Sequence, residues 1–206
     1  MFEFITQIDY RILLFIQEHL RFDWLTGPLV AISHLGNSGW FWIALCILLL
    51  IPKRTRMMGV CGLLALAVGA LITNVALKNI VARIRPYDQF GDLILLLERQ
   101  SDFSFPSGHS CSSFAAACAL CWSADNKNLR RLGSVSVVLA AAIAWSRLYV
   151  AVHFPSDVIA GILLGMLSAW IVCTIYKKIR KNNYHKKMVK LQNSPEKSEE
   201  NVGEQQ

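Results

Sequence analysis

Apolar residues in this chain come in long blocks separated by short polar breaks. The first segment, residues 3–20, is the exception, because it alternates at helical spacing. Ile5, Ile8, Ile12, Phe15, Ile16 and Leu20 share one side, and Gln7, Arg11, Glu18 and His19 interrupt the rest. That pattern predicts an amphipathic helix lying in a membrane interface rather than crossing it. Six apolar blocks follow, at 23–36, 38–52, 57–78, 107–122, 132–150 and 155–176, and each is predicted to be a membrane-spanning helix. The first is short and carries Gly27, Pro28, Ser33 and His34, so it can persist only where neighbouring helices cover its polar groups. Turn sequences separate the blocks at 36–39 (GNSG) and 52–56 (PKRTR). The connection 79–106 is the long one, and long connections in compact proteins tend to carry function. Residues 184–206 are charged, without apolar periodicity, and are expected to be disordered. The expected fold is therefore all-α: a polytopic bundle of six transmembrane helices with an N-terminal interfacial helix. It would form one membrane domain over 1–183, followed by a charged tail over 184–206.

Composition agrees with a bilayer as the solvent. Of 206 residues, 54% are hydrophobic, more than a soluble domain of this length carries. The net charge of +7 is unevenly placed. From residue 177 onward eight Lys/Arg stand against four Glu, a basic tail after an apolar helix. Such a tail fixes topology and touches anionic headgroups, and nucleic acid is not the expected partner. The connections at 53–56 and 123–131 and the start of the tail hold ten Lys/Arg; the opposite ends hold Lys78, Arg83, Arg85, Arg99 and Arg147. The positive-inside rule then sets both termini in the cytoplasm and the 79–106 and 147–154 connections on the outer face of a cytoplasmic membrane. The N-terminus lacks a basic n-region and an A-x-A-like site, so no cleavable signal is expected. All six cysteines lie in apolar blocks. Cys118 and Cys121 form a C-x-x-C without a second pair or a histidine at zinc spacing, so they are expected to be buried thiols.

Three clusters fall at the outward ends of these blocks. The first runs from Lys78 to Arg85 and Pro86. The second is PSGH, Pro106 to His109, within the stretch FSFPSGHS. The third runs from Ser146 and Arg147 to His153 and Asp157. Pro106 and Pro155 are suited to a first helical turn. Ser107, Gly108 and His109 would then present unpaired backbone N–H groups to an anion, and Gly108 would admit a phosphate close to the backbone. Lys78, Arg85 and Arg147 are three cations at one membrane face that call for a compensating anion. Asp88, Asp92, Glu98 and Asp102 lie on the same face, but a bound phosphate explains the cluster better. Asp157, four residues after His153, can orient that ring, which makes His153 a nucleophile or a base. His109 is the second histidine of the group. No Asp/Glu/His cluster at ligand spacing adjoins these residues, so no metal or other cofactor is expected. His19 and His34 read as packing or hydrogen-bonding residues.

The pattern K-x6-RP, PSGH, SR-x5-H-x3-D, spanning 78–157, closely resembles that of the type 2 phosphatidic acid phosphatase family, with every family position occupied by the expected residue. The resemblance implies that His153 attacks phosphorus and forms a phosphohistidine, with Asp157 holding its other nitrogen. His109 would protonate the leaving oxygen and later activate water. Lys78, Arg85, Ser107, Gly108 and Arg147 would hold the phosphate oxygens. The implied activity is metal-independent hydrolysis of a lipid phosphate or pyrophosphate. Undecaprenyl pyrophosphate, phosphatidylglycerol phosphate and phosphatidic acid are the candidate substrates. A phosphotransferase would use the same residues. A vanadate-dependent haloperoxidase shares the signature but is soluble, and a non-catalytic lipid-anion binder or transporter would have no use for the histidine pair.

Overall fold

A computed structural model describes residues 2–192, with side chains described from Glu3 to Val189. Those residues are helical throughout their ordered elements, with no strand among them. Met1–Cys173 forms one compact unit and Thr174–Gln206 a second.

Helix α1 (Phe2–His19) is followed by α2 (Asp23–Leu35). A short 3-10 turn, Asn37–Gly39, joins α2 to α3 (Trp40–Leu50). In that turn Ser38 and Gly39 both take the left-handed conformation (φ 49° and 67°), which glycine adopts freely and serine does not. The result is a 49° bend between α2 and α3. Helix α4 (Arg56–Ala70) continues through a π-helical stretch, Leu71–Leu77, into α5 (Lys78–Val81), where Ala82 at φ 47° stops it. Helix α6 (Pro86–Gln89) opens on Pro86, whose missing N–H is harmless at that position. Helix α7 (Gly108–Trp122) is capped by Ser107, whose hydroxyl accepts from the Ser110 N–H at 3.4 Å. Helix α8 (Lys127–Tyr149) is capped by Asn126, which accepts from the Leu129 N–H at 2.9 Å. Helix α9 runs over Pro155–Gln192.

All six expected spans are helices, but they are not six equal crossings. By length and apolarity three segments qualify among the described residues: Arg56–Gln89, Lys127–Tyr149 and Pro155–Val189. The bent pair of α2 and α3 makes a fourth if taken as one span. Helix α7 has 15 residues, about 22 Å at 1.5 Å per residue, against a hydrocarbon core of about 30 Å. It is short because it is the centre of the bundle: Ala115, Ala116, Ala117, Ala119 and Leu120 are fully buried. The expected disorder from 184 is also corrected. The helix continues through 184–192, because nothing in that stretch is a helix breaker; the remainder of the expected tail lies outside the described residues.

The packing inverts that of a water-soluble protein. Leu64, Val75, Ile80, Val138, Ile159, Leu163 and Trp170 are exposed, while Ser33, Thr73, Ser113, Ser146 and Ser168 are buried. Their hydroxyls are satisfied locally or by neighbours. Thr73 donates to the Gly69 carbonyl at 2.8 Å, and Ser113 accepts from the indole N–H of fully buried Trp42 at 2.9 Å. Trp42, Cys46, Met58, Ala116, Leu120 and Ile143 make the principal core between α3, α4, α7 and α8. Five of the six cysteines are buried, and Cys121 is half-buried. The N-terminal segment expected to be helical is α1, and it has two faces. Ile5, Ile8, Ile12 and Phe15 are exposed, whereas Asp9, Leu13 and Ile16 are buried against the bundle.

Small residues let α9 lie directly on α7. Gly161 and Gly165, four apart, face the first turns of α7. An added Cβ at Gly161 would stand 2.5 Å from the Ser107 carbonyl oxygen, and one at Gly165 2.4 Å from that of Cys111. Backbone atoms cannot retreat as a side chain tip can. Gly161→Ala should therefore destabilise the protein by about 1–3 kcal/mol and disturb the start of α7. Thermal unfolding in detergent checks this, with Gly27→Ala as control, since nothing lies within 4 Å of a Cβ there.

Candidate active site

The three sequence clusters meet where α5, the start of α7 and the α8–α9 connection converge. The π-helical stretch ahead of Lys78 and the left-handed Ala82 after it shape the first cluster. Lys78 reaches the start of α7: its Nζ lies 3.9 Å from where a Cβ on Gly108 would be. Lys78 and Arg85 both hydrogen-bond the Asp102 carboxylate. Arg85 also donates to the Asp102 carbonyl at 2.9 Å and to the Val152 carbonyl at 2.8 Å, which ties it to the residue preceding His153. Asp102 is partly exposed. Its partial burial opposes ionisation, but the Lys78 ammonium and the Arg85 guanidinium overcome this and hold its carboxyl down at about 2.

Ser107, at the start of α7, donates its backbone N–H to the Asp157 carbonyl at 3.0 Å. This bond locks the second cluster to the third. His109 Nε2 meets the Asn37 side-chain oxygen at 2.9 Å. The charges of Arg147, Lys78 and Arg85 bear on His109, which sets it among them. Arg147 is 1% exposed; its Nη1 donates to the Ser33 hydroxyl, and its Nε is buried without a hydrogen-bond partner among the described residues. A buried guanidinium N–H left unpaired is costly, and an anion is the group that satisfies it.

His153 lies in the connection between α8 and α9 and is 2% exposed. Burial disfavours its charged form, Asp157 favours it, and Arg85 and Arg147 disfavour it. The imidazole is pushed down to about 4 and is neutral at pH 7. Its Nδ1 is 3.8 Å from Asp157 Oδ2, beyond hydrogen-bond reach. Ser104 fills the gap: its hydroxyl donates to Asp157 Oδ2 at 2.5 Å and stands 3.5 Å from His153 Nδ1. Because that hydroxyl proton is committed to the carboxylate, its oxygen is free to accept from Nδ1–H. The Nε2 lone pair is then left for reaction. Asp157 further accepts from the Phe154 N–H at 3.0 Å and from Arg83 Nη1 at 2.6 Å.

A cavity of about 780 Å³ opens onto this cluster. Lys78, Asp102, Gly108, His109 and Asn37 line one part of it, and Ile43, Leu63, Leu66, Ala67 and Ala70 line another. Of the eight residues expected from the sequence, Lys78, Gly108 and His109 line the cavity. Arg85, Ser107, Arg147, His153 and Asp157 are each buried. Among the described residues no group of three or more His, Cys, Asp or Glu side chains is placed to hold a metal ion.

Residues 56–181 match the model of the PAP2 superfamily. The chain belongs to the PAP2 superfamily. It is a multi-pass membrane phosphatase. Among curated relatives of this PAP2 chain, the undecaprenyl-diphosphatase of Sulfolobus acidocaldarius is 36% identical over 147 residues, covering 71% of this chain and 67% of that protein. The phosphatidylglycerophosphatase B of Bacillus subtilis is 29% identical over 171 residues, covering 79% and 80%. Among solved structures, the PAP2-type phosphatidylglycerolphosphate phosphatase of Bacillus subtilis superimposes with a TM-score of 0.71 at 28% identity. That match covers 85% of this chain and 87% of that one.

Sequence reasoning missed several residues that shape the PAP2 site. Ser104 sits two residues before Pro106, and its signal was a lone hydroxyl between two phenylalanines. Ser33 was read only as a polar residue of the weak first block, and Asn37 only as part of a turn. Arg83 was counted only as a charge. Ser104→Ala would leave His153 Nδ1 without its neighbour and Asp157 without one donor. Turnover should fall about tenfold to a hundredfold, or about 1.4–2.7 kcal/mol of transition-state stabilisation. Inhibition by inorganic phosphate should change little. Steady-state kinetics with phosphate as inhibitor checks both.

Proposed function

We propose that this protein hydrolyses a lipid phosphate or pyrophosphate at the outer face of the cytoplasmic membrane through a phosphohistidine. The observation that carries the reading is the unpartnered Nε of buried Arg147 in a cluster with Lys78, Arg85 and His109, behind a cavity whose other wall is apolar. Such a space takes a phosphate at one end and an acyl or prenyl chain at the other. The names of the relatives support the substrate class: undecaprenyl pyrophosphate and phosphatidylglycerol phosphate are the first candidates, and phosphatidic acid is the third.

In this mechanism Lys78, Arg85, Arg147, the Ser107 hydroxyl and the Gly108 backbone hold the phosphoryl oxygens. Their preorganised positive charge stabilises the transition state where a metal ion would serve elsewhere. His153 Nε2 attacks phosphorus, and the bond to the lipid oxygen breaks. His109 gives its Nε2 proton to that oxygen. Water then enters, His109 takes its proton, and hydroxide displaces His153 to release phosphate. Asp157, through Ser104, stabilises the imidazole as it becomes cationic.

Rapid quenching of the wild type with labelled lipid phosphate should place label on His153. His153→Ala should lose turnover yet still bind a phosphate analogue, and activity should survive excess EDTA. Label on a different residue, or activity restored only by added magnesium, would overturn the mechanism. A panel of lipid phosphates, assayed with and without acceptor alcohols, identifies the substrate and separates hydrolase from transferase.

The outward orientation is supported by the uneven distribution of Lys and Arg along the chain. Single cysteines at Gln89 and Lys53, on a background with the native cysteines replaced, test it in intact cells. An impermeant thiol reagent should reach the first and not the second. The reverse labelling would place the site on the cytoplasmic face.

A further inference from the structure

Arg83 lies inside the six unspecified positions between Lys78 and Arg85, and Asp9 lies far upstream in α1, so neither belongs to the sequence signature. The fold brings them together behind the reacting histidine. Arg83 Nη1 donates to Asp157 Oδ1 at 2.6 Å and to the Ser156 hydroxyl at 2.7 Å. Its Nη2 donates to Asp9 Oδ2 at 2.9 Å and to the Thr6 hydroxyl at 3.1 Å. The guanidinium carbon stands 4.0 Å over the Phe154 ring. Asp9 is 4% exposed and accepts the Ser156 N–H at 3.0 Å as well as the Ser156 hydroxyl. A single guanidinium thus bridges two buried carboxylates. One comes from the otherwise interfacial helix α1, the other from the residue that faces His153.

We infer that Arg83 and Asp9 form a positioning pair that sets how much of the Asp157 charge is felt by His153, and that α1 is through them a working part of the active site. The inference rests on the proposed role of His153 as the attacking group. The physical argument is one of shared charge. Asp157 divides its interactions between Arg83 on Oδ1 and the Ser104–His153 side on Oδ2. Asp9 competes with Asp157 for the same cation. The other charged or titratable groups bearing on His153 are Arg85 and Arg147, which both oppose its protonation, and His109, the second imidazole of the cluster, which is the same in every variant compared. Removing the Arg83 charge leaves Asp157 facing His153 unopposed, and the ring takes up a proton more readily. Removing the Asp9 charge turns the whole of Arg83 onto Asp157, and the ring loses part of its counter-ion. A protonated His153 cannot attack, so the acidic limb of kcat/KM reports the balance.

The two substitutions should therefore move one limb in opposite directions, which a purely structural pair would not do. With short-chain phosphatidic acid in detergent micelles, Arg83→Gln should shift the acidic limb of kcat/KM upward by about half to one pH unit. Asp9→Asn should shift it downward by about half a unit, and Arg83→Lys should return it to the wild-type position. The substrate's own ionisation is common to all the profiles and drops out of the comparison. Unmoved limbs, or limbs that move the same way, would overturn the inference. Should Arg83→Gln not accumulate in the membrane, the downward shift in Asp9→Asn decides the matter alone. Alkaline-quench labelling of the wild type, which preserves a phosphohistidine, accompanies the profiles. Label on His153 with unmoved limbs sinks this inference while leaving the proposed function standing. Label elsewhere removes the proposed role of His153 and the inference with it.

Discussion

A buried arginine in a helix bundle must have its donors met, and this requirement organises the structure around its polar centre. Arg83, Arg85 and Arg147 all lie within the apolar bundle, and each is tied to a different part of the chain. Arg83 joins α1 to α9, Arg85 joins the long 79–106 connection to the residue before His153, and Arg147 joins α8 to α2 through Ser33. Each tie draws together elements that apolar packing alone would leave free to slide, because one Leu–Ala contact is much like another. Arg83 and Arg85 each tie two or more segments together through their guanidinium donors. Arg147, with one donor unmatched, is the member left to receive something else.

The same constraint accounts for where the small residues lie. To bring the start of α7 up to Asp157, α9 has to approach within backbone contact. Gly161 and Gly165 make that possible where any larger residue would meet a carbonyl oxygen. Alanines on α7 do the same on its other sides. The helix that carries Ser107, Gly108 and His109 is consequently encased by its neighbours, and the polar N–H groups of its first turn lie deep in an otherwise apolar assembly. The phosphate binding proposed for this helix start needs a rigid, desolvated site, and the tight packing supplies one.

Helix α1 is joined to the polar cluster of the bundle. Its exposed side is apolar, with Ile5, Ile8, Ile12 and Phe15, while its inner side carries Asp9 to Arg83. A helix with those two faces is held to the bundle by a buried ion pair and leaves an apolar side exposed. The N-terminal helix is thus tied through Arg83 to the carboxylate beside His153.

Much of this was legible in the sequence, because a bilayer imposes strong one-dimensional rules. Apolar blocks of helical length, broken by basic connections, specify an all-α membrane protein without any knowledge of its packing. The three clusters of the signature were legible as well, since proline, glycine and paired charges at span ends have few other uses. The tertiary structure decided what depends on contact between distant segments. The length of α7 could not be foreseen, because a central helix is sheathed by protein and need not match the bilayer. Ser104 as the link between His153 and Asp157, Asn37 beside His109, and Asp9 with Arg83 were equally hidden. A polar residue shows no periodicity of its own, and its role is set by which side chain the fold places within about 3 Å of it.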